Sequence, residues 1–266
     1  MPDISEAGVA VVEGVDRLEA DHGPLFAVIG VFDGIHLGHQ YLLRHLVDEA
    51  RSRDARPAVI TFDSHPDEVI VGAAPPLLLD PGERVRLLEE AGVEVIVIQH
   101  FDAALRMTEY DEFVHRITAR TRLAGLLMTP DAAFGHDRRG TVETVAELGR
   151  REGFDLVVAA PFEVAGRSVR SSDIRTAIAA GDLLLAAALL GRPYSIVGTA
   201  GENGLLACPM PVALPPAGSY QTVVDCRDVS EARSATLDVG VGATLRLQPP
   251  GQETDGARIR VAFADG

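Results

Sequence analysis

Short apolar runs alternate with longer stretches of helical periodicity through the first two-thirds of the chain. Leu25–Val31 is followed by an amphipathic pattern over Gln40–Arg53, Pro57–Phe62 is a second run, and Pro81–Ala91 reads as a helix before the run Val93–Ile98. A helix over Asp111–Arg122, a run at Ala124–Met128, a helix over Thr141–Glu152 and a run at Asp155–Ala160 continue the series. Strand–helix–strand order of this kind predicts an α/β fold, a parallel sheet with helices on both faces. In such sheets ligands collect at the carboxyl ends of the strands.

Two further helices are predicted over Ser172–Ala180 and Leu183–Leu190, with Gly181-Asp182 supplying a C-cap and then an N-cap. Gly191-Arg192-Pro193 punctuates the chain, and the pattern changes beyond it to Gly and Pro clusters around short β-leaning runs at Tyr220–Val224, Ala243–Leu247 and Ala257–Phe263. That pattern predicts a small all-β module, so the expected domains are 1–192 and 193–266. Val71–Asp80, rich in Ala, Pro and Leu, reads as a loop flanking a site.

Composition adds exclusions. The net charge of −15 argues against broad nucleic-acid binding, which needs a basic face. All 24 basic residues are Arg, which excludes Schiff-base chemistry and any P-loop Lys. Cys208 and Cys226 share no metal-ligand spacing and read as buried or incidental thiols. With no membrane-length apolar run and no basic-then-apolar start, the expected location is the cytoplasm. Oligomeric state leaves no signal.

The candidate chemistry begins at Phe32-Asp33-Gly34-Ile35-His36-Leu37-Gly38-His39, where the first apolar run turns into a helix. Gly34 and Gly38 let backbone approach a ligand, and a helix N-terminus offers N–H groups and partial positive charge, so the turn is an anion site. His36 and His39, three residues apart, are placed to donate to one phosphate. The alternative use, a His-x-x-His metal pair, lacks a Cys partner nearby in sequence.

This turn resembles the His-x-Gly-His motif of the adenylyl- and cytidylyltransferase superfamily. Its Phe-Asp-Gly prefix is similar in particular to bacterial bifunctional riboflavin kinase/FMN adenylyltransferases, the FAD synthetases. The resemblance covers roughly residues 10–198 and implies a Rossmann-like nucleotidyltransferase domain followed by a small β-barrel. Thr61-Phe62-Asp63-Ser64-His65-Pro66 resembles the family's Thr-Phe-x-Pro-His-Pro, with Ser64 for Pro. Asp131-Ala132-Ala133-Phe134-Gly135 resembles Gly-x-Asp/Asn-Phe-x-Phe-Gly, with Thr129 for the first Gly and Ala132 for a Phe. Arg170-Ser171-Ser172-Asp173-Ile174-Arg175 resembles Ser-Ser-Thr-x-Ile-Arg. The two serines there can cap a helix or bind phosphate, while Arg175 can neutralise departing pyrophosphate.

The resemblance implies transfer of AMP from ATP to FMN, giving FAD and pyrophosphate. His36, His39 and Arg175 are then the catalytic residues. Phe32, Asp33, Gly34, Gly38, Asp131, Ser171 and Ser172 join them in binding nucleotide, and Phe62, Asp63, His65, Pro66 and Phe134 lie on the flavin side. Magnesium is expected, held mostly by phosphates and water, with no protein ligand assigned. Two alternatives stay open: another phosphorylated acceptor, given Thr129 and Ala132, and a non-catalytic flavin or nucleotide binder, against which the retention of His36, His39 and Arg175 weighs.

The second domain departs from the family. Where its kinase carries Gly-Phe-Pro-Thr-Ala-Asn, this chain has Ala207-Cys208-Pro209-Met210-Pro211-Val212, without the oxygens that would hold a hard cation. Glu231 and Glu253 do not align with the kinase's catalytic Glu, and Gly266 comes before a full kinase domain would end. Riboflavin phosphorylation is therefore expected to be absent.

Overall fold

The computed structural model describes residues 8–164, 166–226, 232–249 and 256–264, so Glu231 and Glu253 lie outside the described residues, as does the side chain of Cys226. Backbone proximity divides the chain into two compact units. The first takes the chain up to Phe32, Gly38–Pro75 and Val85–Ser168; the second takes Asp33–Leu37, Pro76–Arg84 and everything from Val169. The expected boundary at 192 follows the change in sequence pattern, whereas spatial grouping puts the two helices before it with the β module.

The first unit holds β1 (Ala10–Glu13), β2 (Leu25–Ile29), most of α1 (Leu37–Ser52), β3 (Arg56–Phe62), α2 (Pro66–Ile70), the end of α3 (Pro81–Glu90) and β4 (Val95–Gln99). It continues with α4 (Ala103–Arg106), α5 (Tyr110–Thr118), β5 (Leu123–Met128), α6 (Val142–Glu152), β6 (Asp155–Val158) and a short hairpin of β7 (Glu163–Val164) and β8 (Arg167–Ser168). Six strands form one parallel sheet in the order β1-β4-β3-β2-β5-β6. The α/β fold expected from the alternation is the one observed.

Phe26, Ala27, Ala58, Val59, Ile60, Val95 and Ile96 are each fully buried, which is why their strands read as unbroken apolar runs. Helix α5 turns Phe113, Val114 and Ile117 into the core. Helix α6 is bounded by a Thr141/Thr144 capping box and by Gly153 in the left-handed conformation. Because β2 has β3 on one side and β5 on the other, the strand order reverses there, and the carboxyl ends of β2 and β5 flank the switch-point crevice.

The second unit contains α7 (Ser171–Ala179) and α8 (Leu183–Leu190), then β9 (Ser195–Ala200), β10 (Leu205–Ala207), β11 (Gly218–Cys226), β12 (Arg233–Val239), β13 (Leu245–Gln248) and β14 (Arg258–Phe263). The Asp182 carboxylate accepts from Leu185 N–H at 2.9 Å as the expected N-cap, Ala180 takes the C-cap of α7 with Gly181 at φ 79° just beyond it, and Gly191 closes α8 left-handed. The six strands close into a barrel in the order β10-β13-β12-β11-β14-β9. Alternate residues fill it: Ala235, Leu237 and Val239 from β12, and Ile259, Val261 and Phe263 from β14. Tyr194 stacks on Phe263 at 5.7 Å, and its hydroxyl donates to the Ala213 carbonyl at 2.6 Å. Burial raises that phenol's pKa, so it stays protonated as a donor.

Several boundaries differ from expectation. Helix α1 begins at Leu37, three residues early, and α5 stops at Thr118. Residues 241–243 form a short turn, so the strand predicted from Ala243 starts at Leu245.

Candidate active site

The turn between β2 and α1 is held in an uncommon backbone shape. Phe32, Gly34 and Ile35 have φ of 51°, 93° and 40°. Gly accepts this freely, but a β-branched Ile at positive φ is an outlier that costs about 1–3 kcal/mol and persists only where the surroundings impose it. The surroundings do so by burial: Phe32 and Ile35 are each 2% exposed. Gly34 also leaves room, since a Cβ there would stand 3.1 Å from Leu78 Cδ1.

Asp33, next in this turn, is 3% exposed and fully engaged. Its carboxylate accepts from the Leu78 N–H at 3.0 and 3.1 Å and from the Leu79 N–H at 3.1 Å. Arg175 Nη2 donates to it at 2.5 Å across 142 residues of chain, and the Ser171 hydroxyl donates to the Asp33 carbonyl at 2.8 Å. Arg175 Nε reaches the Pro76 carbonyl at 2.8 Å. Thus Asp33 organises its neighbours, and Ser171 serves the turn instead of capping α7. Ser172, one residue on, is exposed.

His36 is 5% exposed. Burial first, and the charge of Arg192 second, hold its pKa at about 4, so near neutral pH it is an uncharged ring carrying a single N–H. Arg192, in sequence no more than punctuation between Gly191 and Pro193, donates to the carbonyls of Ile35 at 2.9 Å and Gly34 at 2.5 Å. A positive charge fixed at the turn's backbone leaves no side-chain spacing to recognise. Gly38 and His39 fall in the first turn of α1, where backbone N–H groups lack intrahelical acceptors. The His39 ring lies 5.0 Å from that of Phe32.

Four of the five residues expected on the flavin side, Phe62, Asp63, His65 and Pro66, lie at the end of β3 and just beyond it, and the fifth, Phe134, follows β5. Phe62 meets Phe101 edge-on at 5.3 Å, and Pro66 opens α2. His65 caps that helix, its Nδ1 accepting from the Asp67 N–H at 3.2 Å. Asp63 accepts from His100 Nδ1 at 2.6 Å and from the N–H groups of Ser64 and Phe101. Burial alone would raise the Asp63 carboxyl, but these bonds hold it below the usual carboxylate range, and the same Asp63 bond raises His100.

At the carboxyl ends of β2 and β5 lies a cavity of about 210 Å³, lined by Val28, Ile29, Met128, Thr129, Ala132 and Phe134 among others. Phe134 packs edge-on to Phe113 at 6.3 Å. The loop that carries it closes on Tyr110: Gly135 has φ 77°, and a Cβ there would fall 2.6 Å from the Tyr110 nitrogen. Asp131 is exposed, and one of its oxygens accepts from the Thr129 hydroxyl at 2.8 Å. Among the described residues no group of three or more His, Cys, Asp or Glu is placed to hold a metal ion. Nor is any helix among them long and apolar enough to cross a membrane.

A switch-point parallel sheet, a His-x-Gly-His turn opening its first long helix, and a closed antiparallel barrel together define a Rossmann-like nucleotidyltransferase fold with an appended β-barrel. Residues 18–173 match the model of the FAD synthetase family, and the chain belongs to that family. It is 35% identical over 172 residues to a bifunctional riboflavin kinase/FMN adenylyltransferase of Haemophilus influenzae, covering 64% of this chain and 56% of that protein. A Bacillus subtilis protein of the same name is 27% identical over 242 residues, 84% of this chain and 74% of its own length. The alignments to the Haemophilus influenzae protein and to its Pseudomonas fluorescens counterpart span 56% and 61% of those relatives. The crystal structure of a macrolide-efflux protein from Streptococcus pneumoniae shares the fold, with a TM-score of 0.78 at 24% identity over 97% of this chain and 89% of that one.

Proposed function

We propose that this protein is an FMN adenylyltransferase that transfers AMP from ATP to FMN, releasing pyrophosphate, and that it does so in the cytoplasm without phosphorylating riboflavin. The observation that carries this reading is the bond between Asp33 and Arg175. Two motifs singled out separately in the sequence meet through it. Family membership supplies the reaction class.

In this reading the FMN phosphate attacks the α-phosphorus of ATP in line, with no protein nucleophile, and the protein contributes position and charge. His36 donates to phosphate as a neutral ring and His39 from the first turn of α1. Arg175, held by Asp33 through one nitrogen, steadies the leaving pyrophosphate. Phe62, Asp63, His65, Pro66 and Phe134 serve the flavin, and Asp131 the nucleotide. Magnesium fits this residue set only as an ion carried by ATP phosphates and water, which neutralises phosphate charge.

Loss of riboflavin kinase activity is supported by residues 207–212, which lack the family's Thr and Asn oxygens. The Pro211 carbonyl and the Ala213 N–H are moreover committed to pairing with Leu77, each at 2.9 Å. A second reading keeps the chemistry and changes the acceptor, because Ala132 opens onto the cavity where the family has a Phe.

Purified protein with ATP, magnesium and FMN, followed by chromatography, tests all of this. We expect FAD, and a fall of about 10²–10³-fold in its rate for His39→Ala if that ring meets transition-state charge. Pyrophosphate release only with a different phosphorylated acceptor would favour the second reading. Tight flavin binding without turnover would replace both with a binding protein, and FMN made from riboflavin would overturn the kinase claim.

A further inference from the structure

Five consecutive residues of the segment 76–80 are each held by a group from elsewhere in the second unit. The Pro76 carbonyl accepts from Arg175. Leu77 forms a parallel β-bridge with Val212, its N–H donating to Pro211 and its carbonyl accepting from Ala213. The N–H groups of Leu78 and Leu79 go to the Asp33 carboxylate. The Asp80 carboxylate pairs with Arg258 at the start of β14 and also accepts from the N–H groups of Gly82 and Glu83 at 2.8 and 3.2 Å, at the opening of α3.

Two of these five holds come from the barrel region: the stretch 211–213 between β10 and β11, and Arg258. The first overlaps the position where the family's kinase motif would stand. We propose that the barrel works as a clamp on the strap 76–80, with Arg258 and the 211–213 segment as positioning elements that keep Asp33, and through it Arg175, in the geometry used for transfer. The kinetic part of this inference rests on the adenylyltransferase reading; the structural part does not.

The physical reason is the cost of Asp33's burial. A carboxylate with 3% exposure must keep its donors, and two of them are amides of the strap. The buried Leu78 side chain packs beside Gly34, next to Asp33, and the anchors on either side of the strap fix where its amides fall. Leu77 is anchored to 211–213, and Asp80 to Arg258. Gly82 lies against the same pair: a Cβ there would stand 2.9 Å from Arg258 Nη2 and 3.2 Å from the Asp80 oxygen, so the guanidinium would have to shift.

Hydrogen exchange of the full-length chain, with FAD formation alongside, tests the clamp in Arg258→Gln and Gly82→Ala. The second variant attacks the same ion pair from the helix side and adds a better helix former, so it separates loss of the clamp from loss of fold. We expect the Leu78 and Leu79 amides to exchange at least about tenfold faster in both, while amides between β11 and β12 keep their protection. In the same variants kcat should fall at least about fivefold with KM for ATP and FMN little changed, and Arg258→Lys should recover part of it. Unchanged exchange at Leu78 and Leu79, protection lost throughout the barrel, or faster exchange with kcat intact would each overturn the clamp. Wild-type protein that makes no FAD would sink the adenylyltransferase reading alone, and the exchange result would still decide the clamp.

Discussion

Phe32-Asp33, beyond the end of β2, and Phe62-Asp63, at the end of neighbouring β3, are the same dipeptide in two environments. Asp33 is buried and accepts from two backbone amides and an arginine. Asp63 also accepts from two backbone amides, but its side chain is 40% exposed, and its side-chain partner, His100, is 71% exposed. A buried carboxylate cannot lose its donors cheaply, so its partners are fixed with it, whereas an exposed one trades a protein partner for water at little cost. Asp33 therefore orders its surroundings, and Asp63 is less tightly bound to its own. The histidines divide the same way: burial pushes His36 down to about 4, and the bond to Asp63 pushes His100 up.

The sharpest way to break this comparison is to truncate both carboxylates. Asp33→Ala leaves Arg175 without its acid and two buried amides without an acceptor, and should cost about 3–5 kcal/mol in urea denaturation and abolish FAD formation. A loss no larger than that of a surface substitution would refute the role given to Asp33.

The next effect concerns pH. Between its unfolded value of 6.5 and its folded value of about 4, His36 is protonated in the unfolded chain but neutral in the folded one. The unfolded state then binds more protons, and stability falls as pH drops through that window, by up to about 3 kcal/mol. Denaturation midpoints at pH 7 and 4.5 should therefore drop further in wild type than in His36→Gln. Parallel drops would show that the ring is not held neutral.

The smallest effect is expected from Asp63→Ala. Its ion pair operates in a mildly acidic window: His100's contribution fades as pH rises through its raised pKa, and Asp63's as pH falls through its lowered one. The denaturation midpoint should barely move at pH 6, and less still in high salt. KM for FMN should change more than stability does; the reverse would make Asp63 a structural residue like Asp33.

Much of the fold could be read in advance because β2 to β6 are apolar runs between amphipathic helices. Strand β1 escaped because four edge residues with only Val12 buried carry too short a pattern. In the barrel, β12 has its buried Ala235, Leu237 and Val239 spaced by Thr236 and Asp238, but Arg233-Ser234 disguise its beginning. The site's motifs were legible as motifs, and their wiring was not. Besides Arg175, Asp33 bonds to backbone amides of Leu78 and Leu79, and Arg192 bonds to backbone carbonyls, so these bonds have no side-chain signature. The loop read as merely flanking the site is the segment that bonds to it.

The second unit is assembled from three separated stretches, Asp33–Leu37, Pro76–Arg84 and the chain from Val169. In the vocabulary of gene shuffling, no single crossover point can donate or remove such a unit whole. A recombinant joined anywhere between residues 85 and 168 inherits its short stretches from one parent and its helices and barrel from the other. The carboxylate at 33, the amides at 78 and 79 and the arginines at 175, 192 and 258 must then match across two ancestries, so this unit is inherited by co-adaptation and not as a cassette.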